Sequence, residues 1–179
     1  MTRVIASRVL DILDALGTPY AVIGAVAVAA RGAPRSTFDL DLFTTEVRVL
    51  SPSLWTALQN DGVEVVIHKG DSDDPLAGVV RIGAAPDRID LVVGRWKWEQ
   101  GVIERAELAD VQGTPLRVPR TADLILLKLA AGGPIDQQDI IRLLAVGLRE
   151  ALIREVDERI ADLPDDAREL WKRIIAATQ

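Results

Sequence analysis

Ile23-Gly24-Ala25, then thirteen residues, then Asp39-Leu40-Asp41-Leu42 is the stretch on which the fold turns. Just before it, Tyr20 to Ile23 is short, apolar and β-branched, and reads as a strand. Gly24 leads into an alanine-rich run, Ala25 to Arg31, that Gly32 and Pro34 end, the pattern of a short buried helix. Phe38 to Phe43 then alternates apolar and acidic residues, which predicts a strand with Asp39 and Asp41 on one face. Their Cα atoms would stand about 6.5 Å apart, close enough for two carboxylates to bridge divalent ions. A third carboxylate on a neighbouring strand, about 4.8 Å away, would close a two-metal site. Arg88-Ile89-Asp90-Leu91-Val92-Val93 offers it, because Asp90 interrupts an apolar strand and is costly there unless its charge is compensated. Crowded carboxylates repel one another, and metal ions are the usual remedy.

Gly24 matters for a second reason. Backbone amides at a helix start can hold an anion, and a glycine lets a phosphate approach closely. Arg35, four residues before Asp39, is a fork of donors that can reach a triphosphate. Amides, an arginine and three carboxylates together describe phosphoryl or nucleotidyl transfer.

Composition narrows the alternatives. The 179 residues contain no cysteine and one histidine, His68, which excludes disulfides, thiolate metal sites, a cysteine nucleophile and imidazole clusters for zinc. A metal would therefore sit on carboxylates, which favours a hard ion such as Mg²⁺, with Mn²⁺ as a substitute. A net charge of −6 argues against a large basic surface for nucleic acid, though 21 Lys and Arg leave room for a local patch. No apolar run approaches the roughly 18 residues that a membrane span needs, and the expectation is a cytoplasmic protein with no membrane partner.

The remaining pattern predicts an α+β sheet portion followed by helices. Val4 to Leu16 has helical spacing; Ser51-Pro52 starts a helix to about Gln59; Val63 to His68, Gly78 to Ile82 and Arg88 to Val93 read as strands. Arg95 to Asp110 carries no clear period, and Thr114 to Val118 is a last short strand. Beyond Thr121 come four helices: Ala122 to Ala131, Ile135 to Ala145, Leu148 to Ala161 and Pro164 to Thr178. We expect a core over 1–120 with a mixed β-sheet and flanking helices, and a C-terminal helical portion over 121–179 packed on it.

The Gly24 to Leu42 spacing resembles the signature of the DNA polymerase β-type nucleotidyltransferase superfamily. Gly24-Ala25-Val26-Ala27 with Gly32-Ala33-Pro34-Arg35-Ser36-Thr37-Phe38-Asp39-Leu40-Asp41-Leu42-Phe43 is similar to its minimal AbiEii-like branch, related to type IV abortive-infection toxins. A second likeness is Lys128-Leu129-Ala130 followed by Asp136-Gln137-Gln138-Asp139-Ile140. The resemblance implies a nucleotidyltransferase fold and transfer of NMP from an NTP to an acceptor hydroxyl on tRNA or protein, with pyrophosphate released. It implies that Asp39, Asp41 and Asp90 hold the metal and do the catalysis. Gly24, Ala25, Arg35, Ser36, Thr37, Lys128, Asp136 and Asp139 would bind the nucleotide, with the last two orienting Lys128 or touching the nucleotide. A toxin role would bring a cognate antitoxin or toxin partner. Two other readings stand beside it: an enzyme of the same fold that adenylylates an aminoglycoside- or lincosamide-like antibiotic, and a non-catalytic antitoxin-like or regulatory member. Ala25, which lacks the hydroxyl of the usual glycine or serine partner, supports the last.

Plain structural roles account for other conspicuous residues. Lys128 sits in an unbroken apolar run and could be a snorkelling surface lysine, and Asp136 and Asp139 could simply complement a helix dipole. His68 at a strand end reads as structural, Asp87 as an exposed turn residue, and Trp96 and Trp98 as a partly packed sheet rim. Arg149 to Arg159 reads as a solvated helix face.

Overall fold

Ile5, Val9 and Leu13 recur at helical spacing and are buried, so α1 (Thr2–Ala15) lays one apolar stripe on the core. The computed structural model describes residues 2–34, 39–85, 87–111 and 113–178. After α1 come β1 (Ala21–Val22), α2 (Gly24–Ala30), β2 (Leu40–Thr44), α3 (Thr56–Asn60), β3 (Val65–Lys69), β4 (Leu76–Ile82) and β5 (Ile89–Gly94). Among the described residues the five strands form one mixed sheet in the order β1-β2-β5-β4-β3, parallel only between β2 and β5.

Strand alternation separates the two faces of this sheet. Leu42, Val80, Ile82, Ile89, Leu91 and Val93 point one way, are fully buried, and share an apolar cluster with α1, Trp55 and Leu58. Asp41, Asp90 and Arg81 point the other way. Each large buried side chain contributes about 1.5–3 kcal/mol, so the register that keeps the first set inside also fixes where the second emerges.

The chain continues through α4 (Lys97–Glu104) and a hairpin, β6 (Glu107–Val111) with β7 (Thr114–Val118). It then forms α5 (Thr121–Ala131), α6 (Pro134–Val146), α7 (Arg149–Asp157) and α8 (Asp165–Ala177). Leu124, Ile125, Leu143, Val156, Leu170 and Ile174 from these helices lie in the same buried cluster as the sheet. Asp123 on α5 is fully buried and receives both Arg105 Nε and Nη2, at 3.1 and 2.7 Å, with Arg159 Nη1 at 3.5 Å. That hydrogen-bonded carboxylate holds the Arg105 guanidinium above its usual pKa.

Several elements differ from the sequence-based expectation. Arg95 to Asp110 contains α4 and β6, so Trp96 and Trp98 belong to a helix start and a helix rather than to a sheet rim. Pro52–Trp55 is a 3₁₀ turn that passes into α3, because proline suits a first turn but supplies no N–H. The helix expected from 148 to 161 ends at Asp157, and Ile160–Asp162 follows as a 3₁₀ turn. No described helix is long and apolar enough to cross a membrane.

Candidate active site

Pairing β2 with β5 in parallel brings their two aspartates side by side. Asp41 and Asp90 are register partners, and Arg81 on β4 is the partner of Asp90 on its other side, so Asp41, Asp90 and Arg81 form one row across three strands. Asp39 stands one residue before β2 rather than within it, as the alternation of Phe38 to Phe43 had suggested. Its segment is still tied to the row, since the Leu40 amide donates to the Arg88 carbonyl at 3.2 Å.

Cations crowd these acids. Arg88 Nη2 donates to Asp39 Oδ2 at 3.1 Å, and Arg88 Nε lies 3.3 Å from Asp90 Oδ1. Arg81 Nε lies 3.7 Å from the same Asp90 oxygen. The Asp90 side chain is 14% exposed, against 35% for Asp39. Asp90 Oδ1 and Arg88 Nε are both buried and have no hydrogen-bond partner, because the approach between them lacks hydrogen-bond geometry. Sequence reading passed over Arg88 and Arg81. The signal for Arg88 was present, since residues two apart on a strand share a face and Arg88-Ile89-Asp90 is such a pair.

Gly24 explains why the loop before α2 can lie so close. Its φ of 63° is a left-handed conformation, and a Cβ there would overlap Asp41 Oδ2. The Ile23 amide donates to the Asp41 carbonyl at 2.9 Å, which holds the loop on β2. Ala25 is buried at the start of α2. Arg35, Ser36 and Thr37 lie outside the described residues.

Lys128 is not a surface lysine. It is 6% exposed, and its ammonium pairs with Asp136 Oδ1 at 3.0 Å and with fully buried Asp139 Oδ2 at 2.7 Å. Arg142 reaches the other Asp139 oxygen at 3.3 Å. Asp136 and Asp139 therefore both ion-pair with Lys128, and more than the helix dipole holds them. His68 lies exposed on β3, an edge strand, opposite Val79. Asp87 sits in the turn that leads into β5.

Among the described residues no three acidic or imidazole groups already converge as a metal cage. What the row offers is an orphaned, buried carboxylate oxygen on Asp90 and a glycine that clears the space around Asp41. Oxygen donors of this kind, balanced meanwhile by guanidinium groups, suit a hard divalent cation. Two other clefts, of about 440 and 480 Å³, flank α4 and contain none of these acids. Tyr20 lines the second; burial first and then Asp14 push its phenol up to about 12, so it stays a protonated donor.

Comparison with solved structures supplies the fold. The crystal structure of ANT(2'')-Ia in complex with adenylyl-2''-tobramycin superposes with a TM-score of 0.58 at 19% identity, over 88% of this chain and 97% of that one. The solution structure of ANT(2'')-Ia gives 0.55 at 17% identity, over 88% and 92%. Lincomycin-bound LnuA, a lincosamide antibiotic adenylyltransferase, gives 0.51 at 10% identity, over 79% and 96%. No family model and no curated protein matches the chain. The chain has the nucleotidyltransferase fold.

Proposed function

We propose that this protein is a Mg²⁺-dependent nucleotidyltransferase that moves NMP from an NTP to an acceptor hydroxyl. The observation that carries the reading is the in-register pair Asp41 and Asp90, with Asp39 beside them and the Gly24 backbone against Asp41. Asp39, Asp41 and Asp90 would hold the metal, whose chemistry is to neutralise charge on the triphosphate and sharpen the acceptor oxygen. Asp90, more enclosed than Asp39, takes the proton from the acceptor hydroxyl as its oxygen attacks the α-phosphorus. The bond from the α-phosphorus to the bridging oxygen breaks, and pyrophosphate leaves with the electron pair. The Gly24 and Ala25 amides, with Arg35, Ser36 and Thr37 from the motif likeness, would meet the phosphates. Lys128, Asp136 and Asp139 form the second nucleotide-binding group that the motif likeness assigns.

Two acceptor classes have separate support. The net charge of −6 suits a cationic, hydroxylated small molecule, and ANT(2'')-Ia carries an adenylylated tobramycin. The AbiEii-like stretch from Gly24 to Phe43 supports a tRNA or protein acceptor, with an antitoxin partner. Incubation with each α-labelled NTP and Mg²⁺, against aminoglycosides, lincosamides, total tRNA and lysate protein, separates them. We expect one acceptor class to take the label, and Asp41→Asn and Asp90→Asn to abolish it. No labelled product with any acceptor would overturn the assignment.

A further inference from the structure

We propose that Arg88 is a displaceable counterion: its guanidinium holds the place between Asp39 and Asp90 and competes there with the divalent cation. This rests on the reading of the row as a metal site. Arg88 spans two carboxylates but serves them unequally, with a hydrogen bond of 3.1 Å to Asp39 and only an ill-directed approach of 3.3 Å to Asp90. Arg88 Nε and Asp90 Oδ1 are thus both desolvated and both without a hydrogen bond, an arrangement that costs free energy on each side.

The fold's structural ion pairs look different. Asp123 is fully buried and takes a two-pronged grip from Arg105, and fully buried Asp139 has Lys128 at 2.7 Å. Those pairs could not part without stranding a charge. The Arg88 side chain is 36% exposed, so it can withdraw into water and stay solvated. A small ion with a flexible oxygen shell would satisfy Asp90 Oδ1, which a planar fork reaching from a neighbouring position does not. Arg81, 51% exposed and 3.7 Å from Asp90, adds positive charge from β4 at a longer distance.

Titration with Mn²⁺ alone, without nucleotide, tests the proposal by calorimetry and by the paramagnetic signal of the free ion. Thermal unfolding with and without Mn²⁺ is recorded alongside. Arg88→Met should bind Mn²⁺ about tenfold more tightly than wild type, unfold at a lower temperature without metal, and gain more from its addition. Arg88→Lys, included in case the Met variant folds poorly, keeps a charge but cannot fork, and should bind about threefold more tightly. Arg173→Met, an exposed change of equal charge on α8, should match wild type. Unchanged or weaker binding in both Arg88 variants, with wild type binding normally, would overturn the proposal and leave the metal site standing. An equal gain in Arg173→Met would also overturn it, because bulk charge would then be the cause. If neither wild type nor any Arg88 variant binds Mn²⁺, the metal site and this proposal fall together.

Discussion

Replacing Gly24 with alanine would drive a methyl group into the Asp41 carboxylate and force a φ of 63° on a residue with a side chain. We expect Gly24→Ala to lose about 1–3 kcal/mol in urea unfolding and to weaken Mn²⁺ binding, because Asp41 must move. Lys128→Met should cost about 3 kcal/mol in the same measurement, since it takes away the ammonium 2.7 Å from fully buried Asp139. The reach of the sequence at this scale follows from local geometry. The juxtaposition of Gly24, Asp41 and Asp90 was legible because each interrupts an apolar pattern. The burial of Lys128 was not, because a lysine in an apolar run looks alike whether it snorkels outward or meets carboxylates from the next helix. Arg81 was hidden for a similar reason: its meaning depends on a register partner in another strand.

At the scale of elements, α4 shows how side chains can mask a helix. Trp96-Lys97-Trp98 alternates like a strand, Gly101 interrupts the helical pattern, and Trp96 is no ordinary cap. The helix start is made instead by buried Glu99, whose Oε2 accepts the Trp96 amide at 2.7 Å. The Glu99 carboxylate lies over Gly94, where a Cβ would also stand 2.7 Å from Phe43 Cζ, so Gly94→Ala should lower stability by about 2 kcal/mol in urea unfolding. Burial raises the Glu99 pKa above 4.5, against the pull of the Trp96 and Arg95 amides. A raised acid binds its proton more readily when folded, so its contribution favours the fold at low pH and declines as pH rises past 4.5. Stability of wild type relative to Glu99→Gln should therefore fall from pH 4.5 upward and level off above the folded pKa, as urea unfolding at stepped pH would show. A flat difference would remove Glu99 from this role. The long periodic helices α5, α6 and α8 were legible from their apolar spacing, whereas the end of α7 at Asp157 was not.

Over the whole molecule, one apolar cluster runs from the sheet into the C-terminal helices, and Asp123 links Arg105 of the first portion to Arg159 of the second. Asp123→Ala should cost about 3 kcal/mol yet leave one cooperative transition, seen alike by Trp fluorescence and far-UV circular dichroism. Two separated transitions would show that the portions fold independently. The α+β class and the helical C-terminal portion could be read from periodicity, but the strand order could not, because the crossover that sets β5 beside β2 depends on contacts fifty residues apart. That crossover is what sets Asp41 beside Asp90. The acid excess that weakens a general nucleic-acid surface also supplies the row. The most direct test is calorimetric titration of each NTP with Mg²⁺ into wild type and Asp41→Asn at matched stability. Saturable, Mg²⁺-dependent binding of at least one NTP to wild type, and its loss in Asp41→Asn, is the expected result. Wild type that binds no NTP, or Asp41→Asn that binds as tightly, would contradict it.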